Sequence, residues 1–364
     1  MTDYALTHYE VLFADYASQP VFGFCQQDKS QRLRAILEEL HRYHLSHCPA
    51  YHALFANMPV SFDDEDQLPF LAVRLFKLMD LLSVPKDAVF RELRSSGTTG
   101  QTPARISLDR QTSARQSRAL VSIMQSFIGK QRLPMLIIDS PDVLKKPHLS
   151  ARGAGIQGMA FFGREHTYAL NSDMSLNVDA VRDFANKNRG KPVLLFGFTF
   201  MVWLNFVKAL EHTGDSLDFS QGVLIHSGGW KKLSDQQVNN DTFKKRLTSV
   251  TGITRIHNFY GMAEQVGSVF VECEHGHLHA PSLADVIVRC PYSLVPLPFG
   301  KTGLIQVISA IPTSYPGFSI LTEDMGTLLG EDDCACGRKG RYFSIAGRLP
   351  KTEMRGCSDT AGQS

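Results

Sequence analysis

Ser95-Ser96-Gly97-Thr98-Thr99-Gly100-Gln101-Thr102-Pro103 decides how the rest of this chain is read. Small hydroxyl side chains alternate with glycines, so the backbone can approach a phosphate closely. Its N–H groups and the Ser and Thr hydroxyls can then donate to phosphate oxygens. Arg105, just beyond, adds a positive charge. The run is not the lysine-containing nucleotide loop, since no Gly-Lys-Ser/Thr follows. A hydroxyl-rich surface turn has the same composition, so the reading depends on what stands around it.

Around it, strands alternate with helices. Apolar runs at 134–139, 192–198, 222–226, 253–260 and 303–311 have the length of buried strands. The segments 110–128, 199–212 and 234–250 read as helices between them, and this alternation predicts an α/β architecture. Upstream, Leu33, Ile36, Leu37, Leu40 and His44 recur at helical spacing within Ser30 to His47. The expected organisation is an N-terminal helical region over 1–85 packed on the core and an α/β core over 86–265. A β-rich subdomain over 266–346 and a hinge with a mobile tail over 347–364 complete it.

The bulk numbers exclude several classes. Among 364 residues, 38 basic groups face 36 acidic ones, a net charge of +2. So small a surplus gives no reason to expect a nucleic-acid or membrane surface. No apolar run approaches the ~18 to 20 residues that span a bilayer, and the N-terminus lacks a signal-peptide layout. Seven cysteines, odd and sparse, read as thiols or metal ligands rather than a disulfide framework. The expectation is a cytoplasmic protein with no membrane span and no nucleic-acid partner.

Three further pieces carry chemistry. Asn258-Phe259-Tyr260-Gly261-Met262-Ala263-Glu264 ends a predicted strand with an aromatic, a glycine and a carboxylate, suited to a purine face and a Mg²⁺ ligand. Leu321-Thr322-Glu323-Asp324 reads as an acidic turn able to accept from ribose hydroxyls. Gly347-Arg348-Leu349-Pro350-Lys351 and Arg355-Gly356-Cys357 place cations near the end of the chain.

In this order and spacing the pieces resemble the adenylate-forming superfamily of acyl-CoA synthetases, luciferases and peptide-synthetase adenylation domains. The resemblance narrows to the acyl-protein synthetases of bacterial bioluminescence, the long-chain-fatty-acid–luciferin-component ligases. It is carried by Val73-Arg-Leu-Phe-Lys77, Ser95 to Pro103, His226-Ser-Gly-Gly-Trp-Lys231, Asn258 to Gln265, Tyr315-Pro-Gly317, Glu331-Asp-Asp-Cys-x-Cys-Gly-Arg338 and Arg355-Gly-Cys-Ser-Asp359, from about residue 70 to the end. It implies an AMP-binding α/β large domain with a β-rich subdomain, lacking the full mobile C-terminal domain. It also implies a reaction: a fatty carboxylate attacks the α-phosphate of ATP, and the acyl group passes to a thiol.

By the same resemblance, Ser95, Ser96, Gly97, Thr98, Thr99 and Gly100 would grip the ATP phosphates, and Glu264 would hold Mg²⁺. Tyr260 and Gly261 would meet adenine, Asp324 the ribose, and Arg348 the reacting groups. Cys357 would accept the acyl group. Arg348, Lys351 and Arg355 nearby would favour its thiolate. The resemblance further implies a reductase subunit that receives the acyl group and an acyl-transferase subunit. Two departures stand out: Ala104-Arg105 replaces the lysine often found after the loop, and Leu349-Pro350 replaces the hinge acid. A phenylacetate-type acyl-CoA ligase and a non-catalytic nucleotide-binding scaffold are the rival readings.

Cys334-Ala-Cys336-Gly337 is a C-x-C knuckle, and Cys273-Glu-His275-Gly-His277-Leu-His279 lies upstream. Cys273, Cys334, Cys336 and His279 would make a closed structural zinc site; a tight turn beside an exposed histidine strand is the competing reading. His226, Gly228 and Gly229, at a predicted strand end, are candidates for the acyl site, with a buried hydrogen-bonded histidine as the alternative.

Overall fold

The computed structural model describes residues 6–94, 104–145, 151–214, 216–229 and 238–349. Its strands are β1 (Leu71–Ala72), β2 (Arg91–Arg94), β3 (Arg105–Leu108), β4 (Leu133–Ile138), β5 (Gly163–Tyr168), β6 (Leu194–Phe198) and β7 (Val223–Ser227). Then follow β8 (Arg255–Tyr260), β9 (Phe270–Glu272), β10 (Leu278–His279), β11 (Ala284–Arg289), β12 (Thr302–Ser309), β13 (Ser319–Glu331) and β14 (Arg341–Arg348). Twelve of them form one mixed sheet in the order β11-β12-β13-β14-β10-β9-β8-β7-β6-β4-β5, with β1 set against β13. The remaining pair, β2 and β3, makes a separate antiparallel ribbon.

The half formed by β5, β4, β6, β7 and β8 is parallel. Its central strands are buried on both faces, which is why they read as continuous apolar runs instead of alternating ones. Successive residues nonetheless serve opposite sides. Leu136, Ile138 and Leu195 join Trp203, Phe206 and Phe243 on one face, while Met135, Ile137 and Leu194 join Ile123, Phe127 and Met159 on the other. The helix Arg110–Ile128 begins at Asp109, whose side chain accepts from the Thr112 N–H at 2.7 Å, and ends at Gly129 with φ +86°. Those are the bounds expected from periodicity. The predicted helix after β6 is present, with a π turn over Val202–Val207.

The other half is antiparallel and is joined to the first through β14. That strand pairs with β13 along most of its length but with β10 through only Leu278↔Phe343 and His279↔Tyr342. One expectation needs correcting here. Leu321 to Asp324 is not a turn but lies inside the long strand β13; Arg348, expected at the start of a hinge, is the last residue of β14, opposite Asp324. One edge of β13 changes partner at this point: β1 covers Ile320 and Leu321, and β14 covers Asp324 onward. Glu323 and Asp324, both partly buried, sit where that edge passes from one partner to the other, so the strand continues through them.

The N-terminal helices Thr7–Ala17, Gln26–His47 and Pro49–Phe55 pack against this half. Lys29 and Asp285, both buried, make an ion pair at 3.3 Å under the second helix. Two histidines of that helix are enclosed. His41 lies 2.8 Å from the Tyr51 hydroxyl and His44 2.8 Å from that of Ser83. Burial pushes them down to about 4 and about 3 respectively, and His226 in the other core to about 3. Their folded values lie below the ordinary value, so the unfolded chain binds more protons between pH 6.5 and these values, and stability falls as pH falls. The thermal midpoint should therefore drop on going from pH 7 to pH 4.5; a midpoint constant over that range would contradict the neutral buried histidines.

Candidate active site

The site forms where β7 and β8 end. Ser227 stands opposite Phe259 and donates through its hydroxyl to the Phe259 carbonyl at 3.0 Å, so both strands stop at the same level. Open α/β sheets place ligands beyond such carboxyl ends. Beyond Tyr260 the chain makes the short turn Ala263–Gln265, which buries Glu264 to 6% exposure. The turn is locked from behind. Gln265 Nε2 donates to the carbonyls of Val307 and Gly317 at 3.1 and 2.9 Å, and the Tyr315 hydroxyl donates to the Glu264 carbonyl at 2.9 Å. Residue 317 must be glycine: a Cβ there would stand 2.2 Å from the Tyr315 ring and 3.0 Å from the Glu264 carbonyl oxygen. Burial raises the Glu264 carboxyl above its ordinary value, opposed by the positive charges of Lys77 and Arg348.

Asp324 reaches the same place from β13. It accepts from the Tyr260 hydroxyl at 2.8 Å and from Arg348 Nε at 3.3 Å. Burial and the neighbouring Asp324 charge hold Tyr260 well above the ordinary tyrosine value, so it stays a donor. Glu323, next along the strand, is paired with Arg74. Tyr260→Phe removes one hydrogen bond to a charged group, a change of about 1.5–3 kcal/mol. On the expectation that ATP binds here, the variant should need a roughly ten- to hundredfold higher ATP concentration for half-maximal occupancy; an unchanged value would place the nucleotide elsewhere.

Of the residues expected from sequence, Tyr260, Gly261, Glu264, Asp324 and Arg348 are brought together. Ser95, Ser96, Gly97, Thr98, Thr99 and Gly100, together with Lys351, Arg355 and Cys357, lie outside the described residues. The strands that flank the 95–103 segment are β2 and β3, paired from Arg91↔Leu108 to Arg94↔Arg105. The Ser314 hydroxyl donates to the Ser107 carbonyl at 2.9 Å, which ties this ribbon to the segment Thr313–Gly317 that supports Glu264.

His226 is enclosed: it is 2% exposed, within 2.9 Å of the Thr199 hydroxyl, with its ring 4.8 Å from that of Phe243. Gly228, at φ +84°, packs beside Phe198, and open space surrounds the Cβ position of Gly229. Lys77, Arg74 and Asn258 escaped the sequence reading as site residues. Asn258 carries a buried Oδ1 with no hydrogen-bond partner among the described residues. Lys77 and Arg74 lie in a four-residue helix and at its N-cap, too short for any periodicity to display.

At the far end of β14, Cys273, His279, Cys334 and Cys336 offer ligand atoms that all lie within 4.8 Å of one another. The Cys273 and Cys334 sulfurs are 3.9 Å apart, and Cys336 Sγ is 3.3 Å from His279 Nε2. Two thiolates on a tetrahedral ion at about 2.3 Å would stand about 3.8 Å apart, so the sulfur pair fits zinc. His277 Nδ1 lies 3.4 Å from the Cys334 sulfur, beside the cluster rather than within it. His279 is fully buried rather than on an exposed strand.

The fold is that of the adenylate-forming ligases. The crystal structure of 2-hydroxyisobutyryl-CoA ligase with 2-HIB-AMP superposes with a TM-score of 0.67 at 15% identity, covering 89% of this chain and 68% of that one. Residues 10–364 match the acyl-protein synthetase family LuxE, and the chain belongs to it. The long-chain-fatty-acid–luciferin-component ligases of Vibrio harveyi and Aliivibrio fischeri are each 24% identical to it. These alignments cover 93% and 94% of this chain and 89% and 91% of theirs. Among the described residues no helix is long and apolar enough to cross a membrane.

Proposed function

We propose that the chain uses ATP to activate a long-chain fatty acid as its acyl adenylate and then carries the acyl group as a thioester on Cys357. The observation that carries this reading is the meeting of Tyr260, Asp324 and Arg348 with the buried Glu264 at the end of β8, in a chain of the acyl-protein synthetase family. Asp324 would accept from the ribose hydroxyls, with Tyr260 and Arg348 fixing both of its oxygens. The 95–100 loop would donate to the β- and γ-phosphates. A carboxylate oxygen of the acid forms the new bond to the α-phosphorus, the bond to pyrophosphate breaks, and pyrophosphate leaves with that electron pair. The Cys357 thiolate then attacks the acyl carbon, and AMP leaves.

Magnesium, when bound, neutralises phosphate charge. It takes one or two carboxylates besides the phosphates, which suits a single buried Glu264. Zinc at Cys273, His279, Cys334 and Cys336 would be structural, stapling the β9–β10 and β13–β14 hairpins across the short β10–β14 junction. In this reading 86–265 is the adenylation core and 266–346 carries the ribose and zinc ligands. Residues 1–85 brace the core, and 347–364 brings Arg348 and Cys357. The acceptor of the acyl group would be a cytoplasmic reductase subunit, and an acyl-transferase subunit would supply the acid.

ATP–pyrophosphate exchange across a panel of fatty and aromatic acids tests the reading. Exchange dependent on a long-chain acid is expected; exchange with aromatic acids only would move the substrate to that class. For the cluster, one zinc per chain is expected by elemental analysis, and Cys334→Ser should lose it and unfold at lower temperature. A metal-free wild-type protein of unchanged stability would remove zinc from the account.

A further inference from the structure

The cations around the site are unevenly engaged. Arg348 is held by Asp324, and Arg74 by Glu323. Lys77 is half-buried beside them, and none of the hydrogen bonds or ion pairs among the described residues involves its ammonium. Its position is set from three sides. Leu71 and Ala72 pair in parallel with Ile320 and Leu321, and the Val73 N–H donates to the Leu321 carbonyl at 2.9 Å. The chain then leaves β13 just where Thr322 to Asp324 begin, and the Leu349 N–H takes up the next carbonyl, that of Glu323, at 2.8 Å. Phe76, buried, packs edge-on against Tyr315 at 6.1 Å, the tyrosine whose hydroxyl holds the Glu264 backbone.

Lys77 therefore stands on a short helix clamped between the strand of Asp324 and the turn of Glu264. Its charge is felt by Glu264, where it opposes the effect of burial. Partly covered and hydrogen-bonded by no carboxylate among the described residues, Lys77 keeps its three ammonium donors for an anion.

We propose that Lys77 binds the α-phosphate of the nucleotide and stabilises the negative charge that moves across it during adenylation. This rests on the adenylation reading and assigns a residue within it. The order of groups along ATP supports the choice. Ribose belongs at Asp324 and the metal-bound phosphates at Glu264, so a cation between these two residues meets the phosphate between ribose and pyrophosphate. Lysine acts there as a point charge with three donors. No proton moves in the step: the bond from the carboxylate oxygen to phosphorus forms and the bond to pyrophosphate breaks. It would serve in place of the lysine absent after the 95–103 loop.

The test uses the full chain with ATP and tetradecanoic acid. Lys77→Met keeps the apolar stem and removes the charge. It should lower the maximal exchange rate about 100-fold, the scale for a preorganised charge at a reacting centre. The ATP concentration for half-maximal rate should change much less, and Lys77→Arg should recover part of the rate. In parallel, wild-type protein is acetylated with an amine-reactive ester and mapped by mass spectrometry. ATP should protect Lys77 and leave the exposed Lys301 unaffected. A folded Lys77→Met protein with wild-type exchange, or Lys77 labelling indifferent to ATP, would overturn the assignment. Absence of exchange in the wild type would instead overturn the adenylation reading, while the protection experiment would still judge contact with ATP.

Discussion

Glu264→Gln is expected to lower fatty-acid-dependent ATP–pyrophosphate exchange by about a thousandfold while leaving the thermal midpoint nearly unchanged. Removing one preorganised electrostatic contact at a reacting phosphate costs about 10²–10³ in rate, and here the lost group is also the proposed metal ligand. The fold should tolerate the change, because what holds the turn is backbone and neighbour: the Tyr315 hydroxyl on the Glu264 carbonyl, and Gln265 on the carbonyls of Val307 and Gly317. Glutamine has the same shape and removes a carboxyl whose charged form burial already disfavours. Exchange measured against ATP and magnesium separates the effects. A rate within tenfold of wild type at saturating magnesium would deny Glu264 its role.

Cys357→Ser should separate the two half-reactions. With radiolabelled tetradecanoic acid and ATP, wild-type protein is expected to become covalently labelled, and the label should be released by hydroxylamine as a thioester is. The serine variant should lose essentially all of that label and keep its exchange rate, because the thiolate acts only after the adenylate exists. Labelling that survives in the variant would move the acceptor to another residue. Exchange with no labelling in the wild type would point to an external thiol such as CoA, the rival that the family relationship does not favour.

The parallel half was legible because strands buried on both faces leave an uninterrupted apolar signature, as in Leu133–Ile138 and Leu194–Phe198. The helix Arg110–Ile128 was legible for a different reason: an aspartate cap, an amphipathic body and a terminal glycine agree with one another. Tyr260 to Glu264 was readable as a strand end, and the four zinc-ligand candidates were named from residue type together with the C-x-C spacing and the upstream Cys–His segment.

The acidic pair misled because Glu323 and Asp324 interrupt the alternation expected of a strand. They are tolerated where β1 leaves β13 and β14 takes over, a tertiary circumstance that no local pattern encodes. Lys77 was visible only as part of Val73 to Lys77; its chemistry emerges once Leu71 and Ala72 dock on β13. His226 stood at a strand end as expected, yet Thr199 and Phe243 close over it. Burial of a polar side chain is decided by what packs above it, and those residues are distant in sequence.

The central claim is that a fatty carboxylate attacks the α-phosphate of ATP in this site. Tetradecanoic acid labelled with ¹⁸O in both carboxylate oxygens, incubated with the protein and ATP, tests it directly. The acyl adenylate keeps one carboxylate oxygen between carbon and phosphorus, and attack by the thiol breaks the carbon–oxygen bond. The released AMP should therefore carry one ¹⁸O per acyl group transferred. AMP without the label, or ADP and phosphate as products, would contradict the account.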